Sequence, residues 1–190
     1  MVSLTAALRK GAKFKCLLAE GRCDGHCCKG KGTIYMYPED IKALMGHFHM
    51  TLEELIETHL KVEEETCLHS RSTKFVPFVS IQERESDGSC KFLDEKGFCD
   101  IYPARPYQCR IFPFWRMNVR TITSWKRLKL KCPGATEGAV DKDAIKYSPS
   151  KIKLYVKHEV EMEKAWEKHM LKTKGKYVEY IKTCLEKKGK

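Results

Sequence analysis

The residues of this chain whose types and spacing could do chemistry are its cysteines. Ten occur in 190 residues, and most are grouped: Cys16, Cys23, Cys27 and Cys28 near the N-terminus, Cys90, Cys99 and Cys109 in the middle, and Cys132 in the tripeptide CPG. Cys67 and Cys184 stand apart and read as small buried hydrophobes, the common state of a lone thiol. The opening MVSLTAALRKGAKFKC has an apolar run too short for a signal peptide and no small-residue cleavage site, which predicts a cytoplasmic protein. In that reducing compartment, clustered thiols point to metal ligation rather than to a disulfide framework.

The type of metal site follows less directly. Structural zinc sites usually present two knuckles in which two to four residues separate the cysteines; Cys23 and Cys27 have the spacing of one, whereas Cys90 and Cys99 are too far apart for a second. Two thiolates on one tetrahedral zinc stand roughly 3.8 Å apart, yet successive side chains of an extended segment point in opposite directions. Adjacent Cys27 and Cys28 are therefore expected to serve separate irons of a cluster, or two different sites. Cys132 before Pro133 is similar to the Cys-Pro ending of ferredoxin runs. The C-x3-C-x2-C loop of radical S-adenosylmethionine enzymes is absent, because its third position is Gly30. His26 lies inside the first group and could ligate or hydrogen-bond a sulfur; the other six histidines, His69 among them, read as surface or helical residues.

Charge is the second signal. The net charge is +11, and from Arg105 to Lys131 there are eight basic residues and no acidic one, interleaved with aromatics. A nucleic-acid-binding module is thus a third reading, carried by charge alone. Within the same stretch Arg105 and Arg110 flank Cys109 and are the expected cofactor-binding residues, donating to cluster sulfurs or to an anionic ligand. No uncharged apolar run approaches the roughly 20 residues of a membrane helix, so no membrane partner is expected.

These residues need elements to position them. YPEDIKALMG predicts a short helix with Pro38 at its start and Gly46 at its end. Thr51 and Glu54 form a capping-box signature for a second helix through Leu60. KFVPFVSI, residues 74 to 81, predicts a strand confined to an edge by Pro77. CKFLDEKGFCDIY predicts a hairpin around Asp94 to Gly97 that brings Cys90 and Cys99 towards each other. Weak alternation between Met117 and Leu130 suggests another strand. Ser148-Pro149 opens a C-terminal helix with an apolar stripe from Ile152 to Met170, and a last helix follows Gly175. The expected fold is α+β, mainly α: a single small metal-stabilised domain with short helices, a β-hairpin and C-terminal helices. Residues 1–135 would form the cysteine-cluster metal-binding part, and 136–190 a helical extension packed on it.

The pieces FKC, GRCDGHCCKG, IYMYPEDI, CKFLDEKGFCDIYPARPYQCRIFPF and CPG together resemble the YkgJ-type cysteine-cluster family, a zinc- or iron-chelating domain. The resemblance covers roughly residues 14 to 134 and implies Cys16, Cys23, Cys27, Cys28, Cys90, Cys99, Cys109 and Cys132 as metal ligands. Between Cys16 and Cys23 lie six residues, where the family pattern has two. The C-x3-C-C spacing is also similar to the cysteine region of flagellin lysine N-methylases, which implies an iron-sulfur cluster of the 4Fe-4S type over zinc. The resulting expectation is a protein holding such a cluster, with a redox, electron-transfer or modification-assisting role and a possible redox or protein partner. Structural zinc binding is the alternative, and no catalytic residue emerges.

Overall fold

The computed structural model describes residues 4–29, 33–66 and 75–187. Cys67, His69 and Lys74 lie outside the described residues. In chain order the helices are α1 (His26–Lys29), α2 (Pro38–Phe48), α3 (Leu52–His59), α4 (Tyr107–Ile111), α5 (Arg116–Val119), α6 (Ile122–Lys131), α7 (Glu137–Val140), α8 (Pro149–Thr173) and α9 (Tyr177–Lys187). The strands are β1 (Ala12–Phe14), β2 (Leu60–Thr66), β3 (Phe75–Ile81) and β4 (Ile145–Tyr147). The fold is α+β and mainly α, as the segment reading expects. The chain clusters into two compact units, each assembled from separate stretches of sequence.

The first unit comprises Met1–Gly30, Leu93–Cys99 and Ile111–Val160. Leu8, Phe114, Val119, Trp125, Ile152 and Val156 are buried together in its core, with the Phe114 and Trp125 rings stacked at 6.1 Å. β1 and β4 pair antiparallel, Ala12 opposite Tyr147 and Phe14 opposite Ile145. The strand expected between Met117 and Leu130 is instead helical. Thr121 caps α6 by accepting the Ser124 amide at 3.0 Å, and Trp125 and Leu128 then recur at helical spacing against the core, which outweighs the weak alternation.

The second unit comprises Lys31–Phe92, Asp100–Arg110 and Glu161–Lys190. The capping box of α3 forms as expected, with the Thr51 side chain accepting from the Glu54 amide and Glu54 accepting the Thr51 amide at 2.8 Å. α2 does not stop at Gly46: it runs to Phe48 and ends where His49 takes the left-handed conformation at φ 55. β3 pairs antiparallel with β2, Leu60 opposite Ile81. Val79 and Ile81 turn their backbone groups to the segment at Ile34 and Met36. Pro77 has the same parity, so its missing N–H faces away from β2 and costs no ladder bond. Its carbonyl accepts the Trp166 indole N–H at 2.8 Å. The hairpin of the fold is thus β2–β3. Around Asp94 to Gly97 a tight turn forms, with Asp94 N–H bonded to Phe98 at 2.8 Å, but its flanks are isolated bridges, Leu93 to Cys99 and Glu83 to Cys90.

Candidate metal centre

Six of the eight expected ligands belong to the first unit, and local backbone chemistry explains how five of them, Cys16, Cys23, Cys27, Cys28 and Cys132, are placed. After β1, the Lys15 amide bonds to the Gly134 carbonyl at 3.3 Å. A Cβ at Gly134 would stand 2.5 Å from the Lys15 carbonyl oxygen and 2.7 Å from the Phe14 ring. Only glycine permits that approach, and it carries Cys16 to the turn that begins at Cys132. Lys15 then anchors the following loop through Glu20 at 2.8 Å and Asp141 at 3.1 Å, while Arg22 bridges Glu20 and Glu137, each at 3.2 Å. Gly134→Ala is expected to destabilise the protein by about 1–3 kcal/mol through this clash and to lower metal content with it. Denaturant melts read beside metal analysis check both.

The next ligands are set by an Asp turn. Asp24 Oδ1 accepts the His26 amide at 3.1 Å, Gly25 sits at φ +74, and the amides of Cys28 and Lys29 both reach the Gly25 carbonyl at 2.7 Å. The chain therefore turns into α1 at once, and Cys27 and Cys28 project from a helical turn rather than from an extended strand. Their Sγ atoms lie 3.8 Å apart, the separation roughly expected for two thiolates on one tetrahedral ion. The premise for assigning the two thiols to separate irons of a cluster, or to two different sites, was an extended segment, and the segment is helical. That premise assumed alternating side chains, and successive helical residues do not alternate.

Sulfur environments differ within the group. Cys23 Sγ accepts the Gly25 amide at 3.4 Å. Cys132 ends α6, its amide bonded to the Leu128 carbonyl at 2.9 Å; burial pushes its thiol up, the Ala135 and Gly134 amides pull it down, and Cys23 and Cys16 add upward pressure. The Cys27 thiol is held well above its usual range, first by the Cys28 thiol, then by burial and by the charges of Cys28, Cys16 and Cys132. Cys16, Cys23, Cys27, Cys28 and Cys132 thus share one electrostatic neighbourhood. Among the described residues no three cysteine, histidine, aspartate or glutamate side chains converge into a finished ion-holding set. The donor chemistry nonetheless fits a soft metal, because all five are thiols and backbone N–H groups already point at two of the sulfurs.

Cys99 also belongs to the first unit; a side chain at Gly97, in the turn before it, would meet Leu18 at 3.7 Å. Cys90 and Cys109 belong to the second. There α4 is held from two sides. Gln108 accepts the Tyr35 amide and donates to the Thr33 carbonyl, each at 3.1 Å. Asp40, 1% exposed, accepts the Tyr107 amide at 2.7 Å and the Tyr37 amide at 3.2 Å, with Arg110 at 3.9 Å. Burial raises its pKa despite those donors. Arg105 stacks on Tyr102 at 3.7 Å and donates to the Tyr102 carbonyl, and Arg110 donates to the Arg105 carbonyl at 2.8 Å. Their recorded partners are thus backbone, Asp40 and rings. The Asp40–Gln108 clamp was missed in the sequence, although an Asp at the third position of a Pro-initiated helix is a legible cap.

The nine described cysteines form no disulfide. Cys184 lies beside the Tyr180 hydroxyl, whose pKa burial and that neighbour push up to about 12. Residues 16–133 match the model of the CxxCxxCC family, described as a putative zinc- or iron-chelating domain. The chain belongs to that family. The match begins at the first clustered cysteine and ends one residue after the last, so the CxxCxxCC family region spans both cysteine groups. No solved structure matches the chain. No described helix is long and apolar enough to cross a membrane.

Proposed function

We propose that this CxxCxxCC protein holds one tetrahedral metal ion in its first unit, with Cys27 and Cys28 as two ligands and the remainder drawn from Cys16, Cys23 and Cys132. The observation that carries this reading is the 3.8 Å separation of the two neighbouring sulfurs. Thiolates on separate irons of a cluster would stand further apart, so a pair this close favours a single ion. Zinc is the metal of this reading: four thiolates and tetrahedral geometry suit it, and its binding energy would stabilise a loop held otherwise by surface ion pairs.

An iron-sulfur cluster is the second reading. It is favoured by the number of cysteines, eight where one ion needs four, and by the resemblance to the flagellin lysine N-methylases. Cys99, in the same unit, would then be a further ligand, and the role would be redox, electron transfer or assistance to a modification reaction.

Anaerobic purification followed by metal, acid-labile sulfide and visible absorption measurements separates the two. A colourless protein with stoichiometric zinc supports the single-ion reading; a brown protein with iron and sulfide replaces it with the cluster. A chain that retains neither metal under anaerobic conditions defeats both.

A further inference from the structure

α6 runs up to Cys132, and its residues include four cations and no carboxylate. Trp125 is buried and Leu128 packs on the same core, so the remaining faces turn outward. Lys126, Arg127, Lys129 and Lys131 are all exposed, as are Arg120 just before the helix and Leu130, 88% exposed, among the cations. The turns Ala6–Leu8 and Pro133–Ala135 and helix α5, which pack against α6, carry no acidic residue; the cleft at its C-terminal end, lined by Lys129, Leu130 and Lys131, also holds Asp24 and Glu137, the latter paired with Arg22 at 3.2 Å. Along the chain no Asp or Glu occurs between Arg105 and Lys131. Among the described residues no carboxylate pairs with Arg120, Lys126, Arg127, Lys129 or Lys131.

From this face we infer that the protein carries a second function beside its metal: α6 docks on the phosphate backbone of double-stranded nucleic acid. The charge spacing carries the choice of partner. Lys126 to Lys131 covers five helical steps, about 7.5 Å, and holds four cations, roughly one per 2 Å. A nucleic-acid duplex presents one phosphate charge per about 1.7 Å of its axis with both strands counted, about 3.4 Å on each strand. A folded protein would have to gather four carboxylates within the same short span to match it. α6 exposes no aromatic ring on which a base could stack, since Trp125 is buried, so contact is to phosphates and discriminates little between sequences. The net charge of +11 adds long-range attraction of the same sign.

The test uses the metal-loaded full chain, a fluorescent DNA duplex of about 20 base pairs, and anisotropy titrations across about 50 to 200 mM salt. Wild type should bind with a steep negative slope of log affinity against log salt. Neutralising Lys126, Arg127, Lys129 and Lys131 to Gln should weaken binding at least about tenfold and flatten the slope by roughly 3.6, four contacts at about 0.9 each. Lys42, Lys164, Lys168 and Lys172 changed to Gln remove the same net charge from exposed positions elsewhere and should cost far less. Leu130→Asp, which keeps every cation and alters only an exposed side chain, should also weaken the complex. Circular dichroism and metal content should be unchanged throughout. An equal loss in both neutralised variants would overturn the proposal, as would absence of duplex binding by wild type. Tighter binding of a polyglutamate of matching charge than of duplex would reassign the face to an acidic protein.

Discussion

Cys27→Ser and Cys28→Ser are each expected to strip the protein of most of its metal and lower its thermal stability, whereas Cys184→Ser should leave both unchanged. The two sulfurs stand 3.8 Å apart on one helical turn, so removing either breaks the same pair and leaves its partner without the geometry that two thiolates share on one ion. Because ligand binding and folding form one equilibrium when no site exists in the unfolded chain, lost metal appears as lost stability. Structural zinc in small domains is worth about 10–16 kcal/mol of apparent binding energy, so losing one of four ligands should reduce affinity by orders of magnitude. Metal per chain and a melting curve for each variant check this. Wild-type metal content in both Cys27→Ser and Cys28→Ser would end the pairing argument.

Trp166→Ala should cost about 3–5 kcal/mol, the range for deleting a large buried aromatic. Trp166 is 1% exposed, and its ring stacks on Phe78 at 6.0 Å and meets Tyr180 edge-on at 5.7 Å and Tyr37 at 6.3 Å. Its indole N–H satisfies the Pro77 carbonyl, so the alanine variant leaves both a cavity and an unmet acceptor. Trp166→Phe keeps most of the apolar volume and removes only the donor, so it should lose far less. Urea titrations followed by circular dichroism give the comparison through the shift of the midpoint at constant slope.

Local chemistry was the legible part of this sequence. Pro38, the Thr51–Glu54 box and the Ser148-Pro149 start each state a helix boundary within four residues, and all three helices form. Elements decided by distant partners were not legible. β2, LKVEEET, is too acidic to read as a strand and exists because β3 pairs with it along its whole length. β1 and β4 are three residues each and lie more than a hundred positions apart in the chain. α6 lacks acidic residues to mark its first turn and is declared only by Thr121. At the candidate site the thiols announced themselves by spacing, but their geometry depended on Asp24 and Gly25 folding the next residues into a helical turn. That turn replaced the extended geometry assumed for the neighbouring thiols. The role of Gly134 was equally invisible, because the carbonyl it must clear belongs to Lys15, far away in sequence.

α8 has a consequence for the order of events during synthesis. Its first half supplies Ile152 and Val156 to one core, and its second half supplies Trp166 and Met170 to the other. Neither core can close before this helix has left the ribosome. Cys28 precedes Val156 by 128 positions, an interval of roughly ten seconds at ordinary elongation rates. For that time the N-terminal thiols have no packed surroundings and stand open to oxidants on a nascent chain.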